Sequence, residues 1–170
     1  MAAFSRHAAA LDWAAQKAIQ VWGSCGLASE RFSFAETDYY AATMGGPLWK
    51  AFWAFAEPVD PAGLPDWKTA TNTWEKEYAA AAGHDERRPL NIDPGYLTAA
   101  KLVLASTKDH AHRIYLRDGI YAEITLYYRD RAWQPCEWTY PDYRRADFQA
   151  FFSQCRDFLR GQRRVDQPPC

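Results

Sequence analysis

The sequence predicts an α+β fold: a mostly antiparallel sheet packed by helices, as one domain over residues 1–160 with a flexible tail over 161–170. Three observations point there. Segments of strand character outnumber the connections that could serve as helical crossovers, which disfavours a doubly wound parallel sheet. Asp118-Gly119 is the strongest hairpin signal in the chain and sets antiparallel pairing in its middle. Near the end, Phe148, Phe151, Phe152, Cys155, Phe158 and Leu159 recur at helical spacing and mark a closing helix behind an Asp147 cap.

Taken in order, Leu11, Ala15, Ala18, Ile19 and Trp22 predict a helix over Ser5 to Trp22, with Ser5 as cap and Gly23 as stop. Arg31 to Ala35 alternates around Phe32 and Phe34 as a strand, and Leu48 to Glu57 reads as a second one, although Leu48, Phe52 and Phe55 would also suit a helix. Asp60-Pro61 opens a helix, because an acceptor at the cap and proline in the first turn suit a helix start. Its face is Leu64, Trp67, Thr71, Trp74 and Tyr78, and Gly83 closes it. Leu90 to Ile92 predicts a short buried strand running into an Asp93-Pro94-Gly95 turn. Thr98 then caps a short helix, Ala99 to Ser106. Two strands around Asp118-Gly119 and a third over Ala132 to Trp138 make a meander, and Tyr140-Pro141-Asp142-Tyr143 is a turn before the last helix. The first half reads as βαββαβ, a ferredoxin-like order, provided a strand precedes the first helix.

Composition excludes several classes. In 170 residues, 48% apolar and 24% charged residues describe an ordinary globular domain, not a disordered or collagen-like chain. Twenty basic against 21 acidic residues lack the excess a duplex-binding protein needs, so no duplex nucleic acid is expected as partner. The late arginines, Arg156, Arg160, Arg163 and Arg164, suit a solvated helix end. Cys25, Cys136, Cys155 and Cys170 show no metal-finger spacing, and no apolar run approaches the ~20 residues of a membrane span. Met1 to His7 lacks a signal-peptide pattern, and the expected setting is the cytoplasm.

Several runs resemble an uncharacterised bacterial family, domain of unknown function 4416 (DUF4416). They are Thr37-Asp38-Tyr39-Tyr40 with Met44-Gly45, then Asn91-Ile92-Asp93-Pro94-Gly95-Tyr96-Leu97, and Lys101 through Asp109. His112-Arg113-Ile114-Tyr115-Leu116, Gly119-Ile120-Tyr121-Ala122-Glu123 and Trp138 through Tyr143 complete the set. The resemblance implies no settled activity. Some members carry a GTP-binding description, yet there is no GxxxxGK[ST] loop here, and Gly45-Gly46-Pro47 is no substitute. Related sequences have a hydrophobic strand before the first helix. Met1-Ala2-Ala3-Phe4 looks too short to supply it, so a start further upstream is expected.

Candidate chemistry gathers between Asn91 and Glu123. An unbroken two-residue hairpin pairs Arg117 with Ile120, Leu116 with Tyr121, Ile114 with Glu123 and His112 with Thr125. Alternation then sets His112 and Glu123 on one face, with Arg113 and Tyr115 on the other. A carboxylate beside a histidine can orient it as a general base, although a structural pair at a sheet end looks the same. Thr107-Lys108-Asp109 offers a hydroxyl, an ammonium and a carboxylate for a phosphate, or else ordinary helix capping. His110-Ala111-His112 could ligate a metal with Asp109, Glu123 or Asp93, a weak signal. His84, in a charged loop, reads as solvated.

The expected function is a binder or enzyme of a phosphorylated small molecule or nucleotide. His112, Glu123 and Asp109 are its candidate catalytic residues. Asp93, Lys101, Thr107, Lys108, Arg113, Tyr115, Tyr121, Asp38, Tyr140 and Asp142 are its candidate ligand contacts. A non-catalytic interaction module, with Trp49, Trp53, Trp133 and Trp138 on one patch, is the alternative; a metal-dependent hydrolase is the second. The sequence names no cofactor and no oligomeric state.

Overall fold

The computed structural model describes residues 1–36 and 40–165. Within them the chain is α+β, with two antiparallel sheets of five strands each. β1 (Ala2–Ser5) is buried along its length between β4 (Leu48–Phe55) and β5 (Asn91–Asp93). The opening residues therefore do supply the strand ahead of the first helix. Small Ala2 and Ala3 and apolar Phe4 suit a central position, and four residues at ~3.3 Å each reach across it.

α1 (Ala8–Trp22) starts later than expected. Its cap position is His7, while the Ser5 hydroxyl donates to the Pro89 carbonyl at 2.5 Å and accepts from the His7 amide at 2.9 Å. β2 (Cys25–Ala28) and β3 (Phe32–Phe34) pair with opposite ends of β4, giving the path β2-β4-β1-β5. A one-turn helix α2 (Ala41–Met44) precedes β4. Asp60 accepts from the Ala62 amide at 3.0 Å and starts the turn that leads into α3 (Leu64–Ala81). α1 and α3 cover one face of this sheet, with Leu11, Ala14, Trp74 and Tyr78 against Ala3 and Ile92.

Asp93-Pro94-Gly95 is a crossing, not a turn. The chain leaves the first sheet at Asp93 and joins the second at β6 (Gly95–Leu97), opposite Leu104. Proline has no N–H to place in either ladder, and its carbonyl accepts from the Ala105 amide at 3.1 Å. The predicted helix Ala99 to Ser106 is instead strand β7 (Lys101–Ser106). Leu102 and Leu104 face one core while Val103 and Ala105 face another, so the strand shows no alternation. A short run that is apolar on both faces cannot be told from a buried helix by its period. Thr98 does accept from the Ala100 and Lys101 amides, but its hydroxyl closes a hairpin turn.

β8 (Ile114–Arg117) and β9 (Ile120–Arg129) flank Asp118-Gly119, whose φ angles of 54° and 73° are those of a tight hairpin turn. Register departs from the simple expectation. Arg117 pairs with Ile120, but an irregularity at Leu116 sets Tyr115 opposite Tyr121 and Ile114 opposite Ala122. One extra residue reverses the faces of everything upstream. β10 (Ala132–Pro135) completes the path β10-β9-β7-β6. α4 (Ala146–Val165) continues past Gly161, and residues 166–170 lie outside the described part.

α4 binds the sheets together. Phe148, Phe151, Phe152 and Cys155 pack with Ala2 and Phe52 of the first sheet and with Leu102, Leu104, Leu126 and Trp133 of the second. Gly95 sits where the sheets exchange the chain, and a Cβ there would collide with the Val103 carbonyl. Gly95→Ala should therefore lower stability by about 1–3 kcal/mol, the range for overpacking. Urea denaturation checks this; an unchanged midpoint would show that the crossing has room.

Candidate functional site

A cleft of about 410 Å³ opens beside the crossing. Its wall takes Phe4 from β1, Lys50 from β4, Lys68 and Asn72 from α3, and Asn91 and Asp93 from β5. From the other side come Ser106, Thr107, Lys108 and His110 after β7, then Arg113, Glu123 of β9 and Tyr140 to Tyr143. Arg88, Tyr40 and Glu36 complete the rim. Among these lining residues five are basic and four acidic.

The charges are built in pairs. Lys50, with a side chain 4% exposed, meets Asp142 at 2.5 Å. Its ammonium also lies 4.3 Å from the Tyr143 ring centroid and within 6 Å of the rings of Phe4, Phe34, Phe52 and Phe148. Lys68 donates to the Ile92 carbonyl at 2.9 Å and to Asp93 at 3.1 Å. Asn91 donates to Asp93 at 2.8 Å and accepts from Arg88, which also holds Glu75 at 3.0 Å. Burial alone would raise the Asp93 carboxyl, but Lys68, Lys50 and Arg88 outweigh it and hold it below its ordinary 3.8. Burial also raises the phenols of Tyr40, Tyr140 and Tyr143, so they stay neutral hydrogen-bonding groups.

Arg113 is the clasp of the opposite wall. Its guanidinium donates to Glu123 at 2.7 Å, to Ser106 at 2.7 Å, to the Lys108 carbonyl at 3.0 Å and to the Tyr140 hydroxyl at 2.6 Å. Glu123 also meets His112 at 3.2 Å and accepts from Thr125 at 3.4 Å. The expected opposition of faces between His112 and Arg113 does not hold. Both precede β8 in a turn closed by the Arg113 amide on the His110 carbonyl, so strand alternation does not govern them.

The cleft gathers Asp93, Thr107, Lys108, Arg113, Glu123, Tyr140 and Asp142 from the sequence-derived set. His112 touches Glu123 from outside and stacks on Trp138 at 5.2 Å. Asp109 hydrogen-bonds Tyr121, and Tyr121 packs on Tyr115, a group beside the cleft and not in its lining. Lys101 lies on β7 opposite Tyr127, away from it. Asp38 lies outside the described residues. His84 is not simply solvated: it stacks on His7 at 3.7 Å and bonds the Tyr78 hydroxyl. Among the described residues, the His/Cys/Asp/Glu atoms close enough to share a metal ion are those of His7, His84 and Glu86. Trp49 and Trp138 are exposed and Trp133 is buried.

Sequence reasoning missed Lys50, Lys68, Arg88 and Asn72. A signal for the lysines was present. Lys50 interrupts the alternation Leu48, Phe52 on one strand face, and Lys68 interrupts the helical stripe Leu64, Thr71.

The model of the family described as Domain of unknown function (DUF4416) matches residues 1–158. The chain belongs to the DUF4416 family. No curated protein and no solved structure matches it. In this DUF4416 protein, no helix among the described residues is long and apolar enough to cross a membrane.

Glu123→Gln should destabilise the fold by about 3–5 kcal/mol, because it leaves the buried Arg113 charge uncompensated. Replacing both partners, Arg113→Met with Glu123→Leu, should recover most of that loss in urea denaturation. A single variant as stable as the parent would show the pair to be solvated. Asp93 gives a pH dependence. Its depressed carboxyl contributes stability that is fully present above pH about 4 and is lost as pH falls through its folded-state value. Asp93→Asn should flatten the acid limb of melting temperature against pH; superimposable limbs would refute the assignment.

Proposed function

We propose that this DUF4416 protein binds a phosphorylated small molecule, of nucleotide or sugar-phosphate size, in the cleft between its sheets. The observation that carries this reading is the near-complete burial of Lys50 and Lys68, 4% and 6% exposed, on the wall of one cavity. Buried ion pairs are seldom more stabilising than apolar packing, so their concentration around a concave site argues for a ligand. The volume lies within the ~300–1,000 Å³ range of small-molecule pockets.

The donors have distinct roles in this reading. An ammonium carries three N–H groups. Lys50 uses one on Asp142 and Lys68 two, which leaves both able to turn N–H groups toward an anion. Arg113 has all three nitrogens engaged, so it shapes the wall instead of gripping phosphate. Asn72 and the neutral Tyr40 phenol supply hydrogen bonds, and the Phe34 ring offers a flat apolar surface for a base or sugar face. Glu123 then orients Arg113 and His112; an acid–base role for His112 or Asp109 would act beside the cleft, because neither is in its lining.

A thermal-shift screen with sugar phosphates and mononucleotides, each paired with its unphosphorylated parent, tests the reading. Ligand at ~100 times its dissociation constant should add about 2.7 kcal/mol of stability. Phosphorylated compounds should shift the midpoint, Lys68→Met should abolish the shift, and His112→Ala should keep it. Equal shifts with the unphosphorylated parents, or none with any compound, would overturn it.

A further inference from the structure

We infer that the ligand is amphipathic: its anionic head occupies the charged cleft and an apolar chain continues into a second cavity between the same sheets. This rests on the reading of the cleft above and names its substrate class. The second cavity, about 500 Å³, lies toward the other end of the inter-sheet space. The same three strands run along the walls of both, although Trp53 and Phe55 also line the second cavity from the other face of β4. Along β4, Lys50 lines the cleft while Phe52 and Ala54, on the same face, line the second cavity. Along β1 the change is from Phe4 to Ala2, and along β7 from Ser106 through Leu104 to Leu102. Each strand passes from one cavity to the other within two to four residues. On two of the three the face turns from polar to apolar.

Tyr143 stands at the junction, and with Asp93 and Leu104 it lines both cavities. One face of its ring is toward the Lys50 ammonium, and Phe152 of the apolar cavity is stacked parallel to it at 5.9 Å. The residue is 2% exposed, and its hydroxyl has no hydrogen-bond partner. Tyr143 is also in the wall of the charged cleft, next to Asp142 in the chain. An unmet buried hydroxyl is unfavourable unless something pairs with it. A head group reaching past Lys50 would pair with it, and the chain behind that head would run on along Phe52 and Leu102.

Isothermal titration with ethyl, butyl, hexyl and octyl phosphate, kept below micelle formation, tests this. Dissociation constants should tighten about fourfold per added methylene, the factor expected for burying each one. Leu159→Trp, which narrows the apolar cavity from α4, should flatten that series while leaving ethyl phosphate binding intact. Tyr143→Phe should keep the fold and weaken every member about tenfold. Chain-length-independent affinity would overturn the amphipathic assignment and leave the phosphate reading standing. Octanol binding as tightly as octyl phosphate would also overturn it, by showing the apolar cavity to act alone. No binding by any alkyl phosphate would overturn the amphipathic assignment alone if sugar phosphates or mononucleotides still shift the melting midpoint, and both readings if they do not.

Discussion

A lysine ammonium held between two sheets, caged by aromatic rings and met by one carboxylate, is the constraint around which this molecule is organised. Lys50 points from the first sheet into the space beneath the second, where Asp142 receives it from the segment leading into α4. A lone charge there would be prohibitively costly. The aromatic faces and Asp142 make it tolerable, and in doing so they fix where α4 begins. α4 then closes both sheets with Phe148, Phe151 and Phe152. Phe4, Phe34, Phe52, Tyr143 and Phe148 are all used around this one ammonium.

The cleft follows from how the chain changes sheets. Asp93, Pro94 and Gly95 carry it directly from one ladder to the next, so the two sheets are joined there, and Asp93 lines the cleft beside the join. The polar groups in its wall are buried as pairs, Lys50 with Asp142 and Arg113 with Glu123. Each basic group in the depth has its own acceptor, which fixes the arrangement of the wall. Pre-paired donors favour recognition of a defined head group over general attraction to anions.

The apolar cavity at the other end of the same space gives the proposed ligand a direction. Tyr143 lines both cavities, and its ring packs near the Lys50 ammonium and near Phe152. Both cavities are framed by β1, β4 and β7, which lie in the interior of their sheets and are held on both edges. The site is therefore built on the stiffest part of the fold, while Thr107, Lys108 and His110 sit on an exposed loop at its mouth.

Much of this was determined by the sequence alone. Local signals with a local cause proved reliable: Gly23 ended α1, Asp60-Pro61 opened the turn into α3, Asp118-Gly119 made its hairpin, and the Phe stripe formed α4. The sequence also singled out the stretch from Asn91 to Glu123 for its polar residues, and Asp93, Thr107, Lys108, Arg113 and Glu123 from it line the cleft. Only tertiary structure decided the rest. β7 looked helical because both its faces are buried, and Asp93-Pro94-Gly95 looked like a turn because a sheet exchange uses the same residue types. The extra residue at Leu116 moved the hairpin register, and His112 with Arg113 escaped strand alternation by lying in a turn. Lys50 and Lys68 were single breaks in apolar patterns whose partners, Asp142 and Asp93, lie 92 and 25 residues away along the chain. A pattern of period two or 3.6 reports which side of an element faces inward, but not which distant charge will be waiting there.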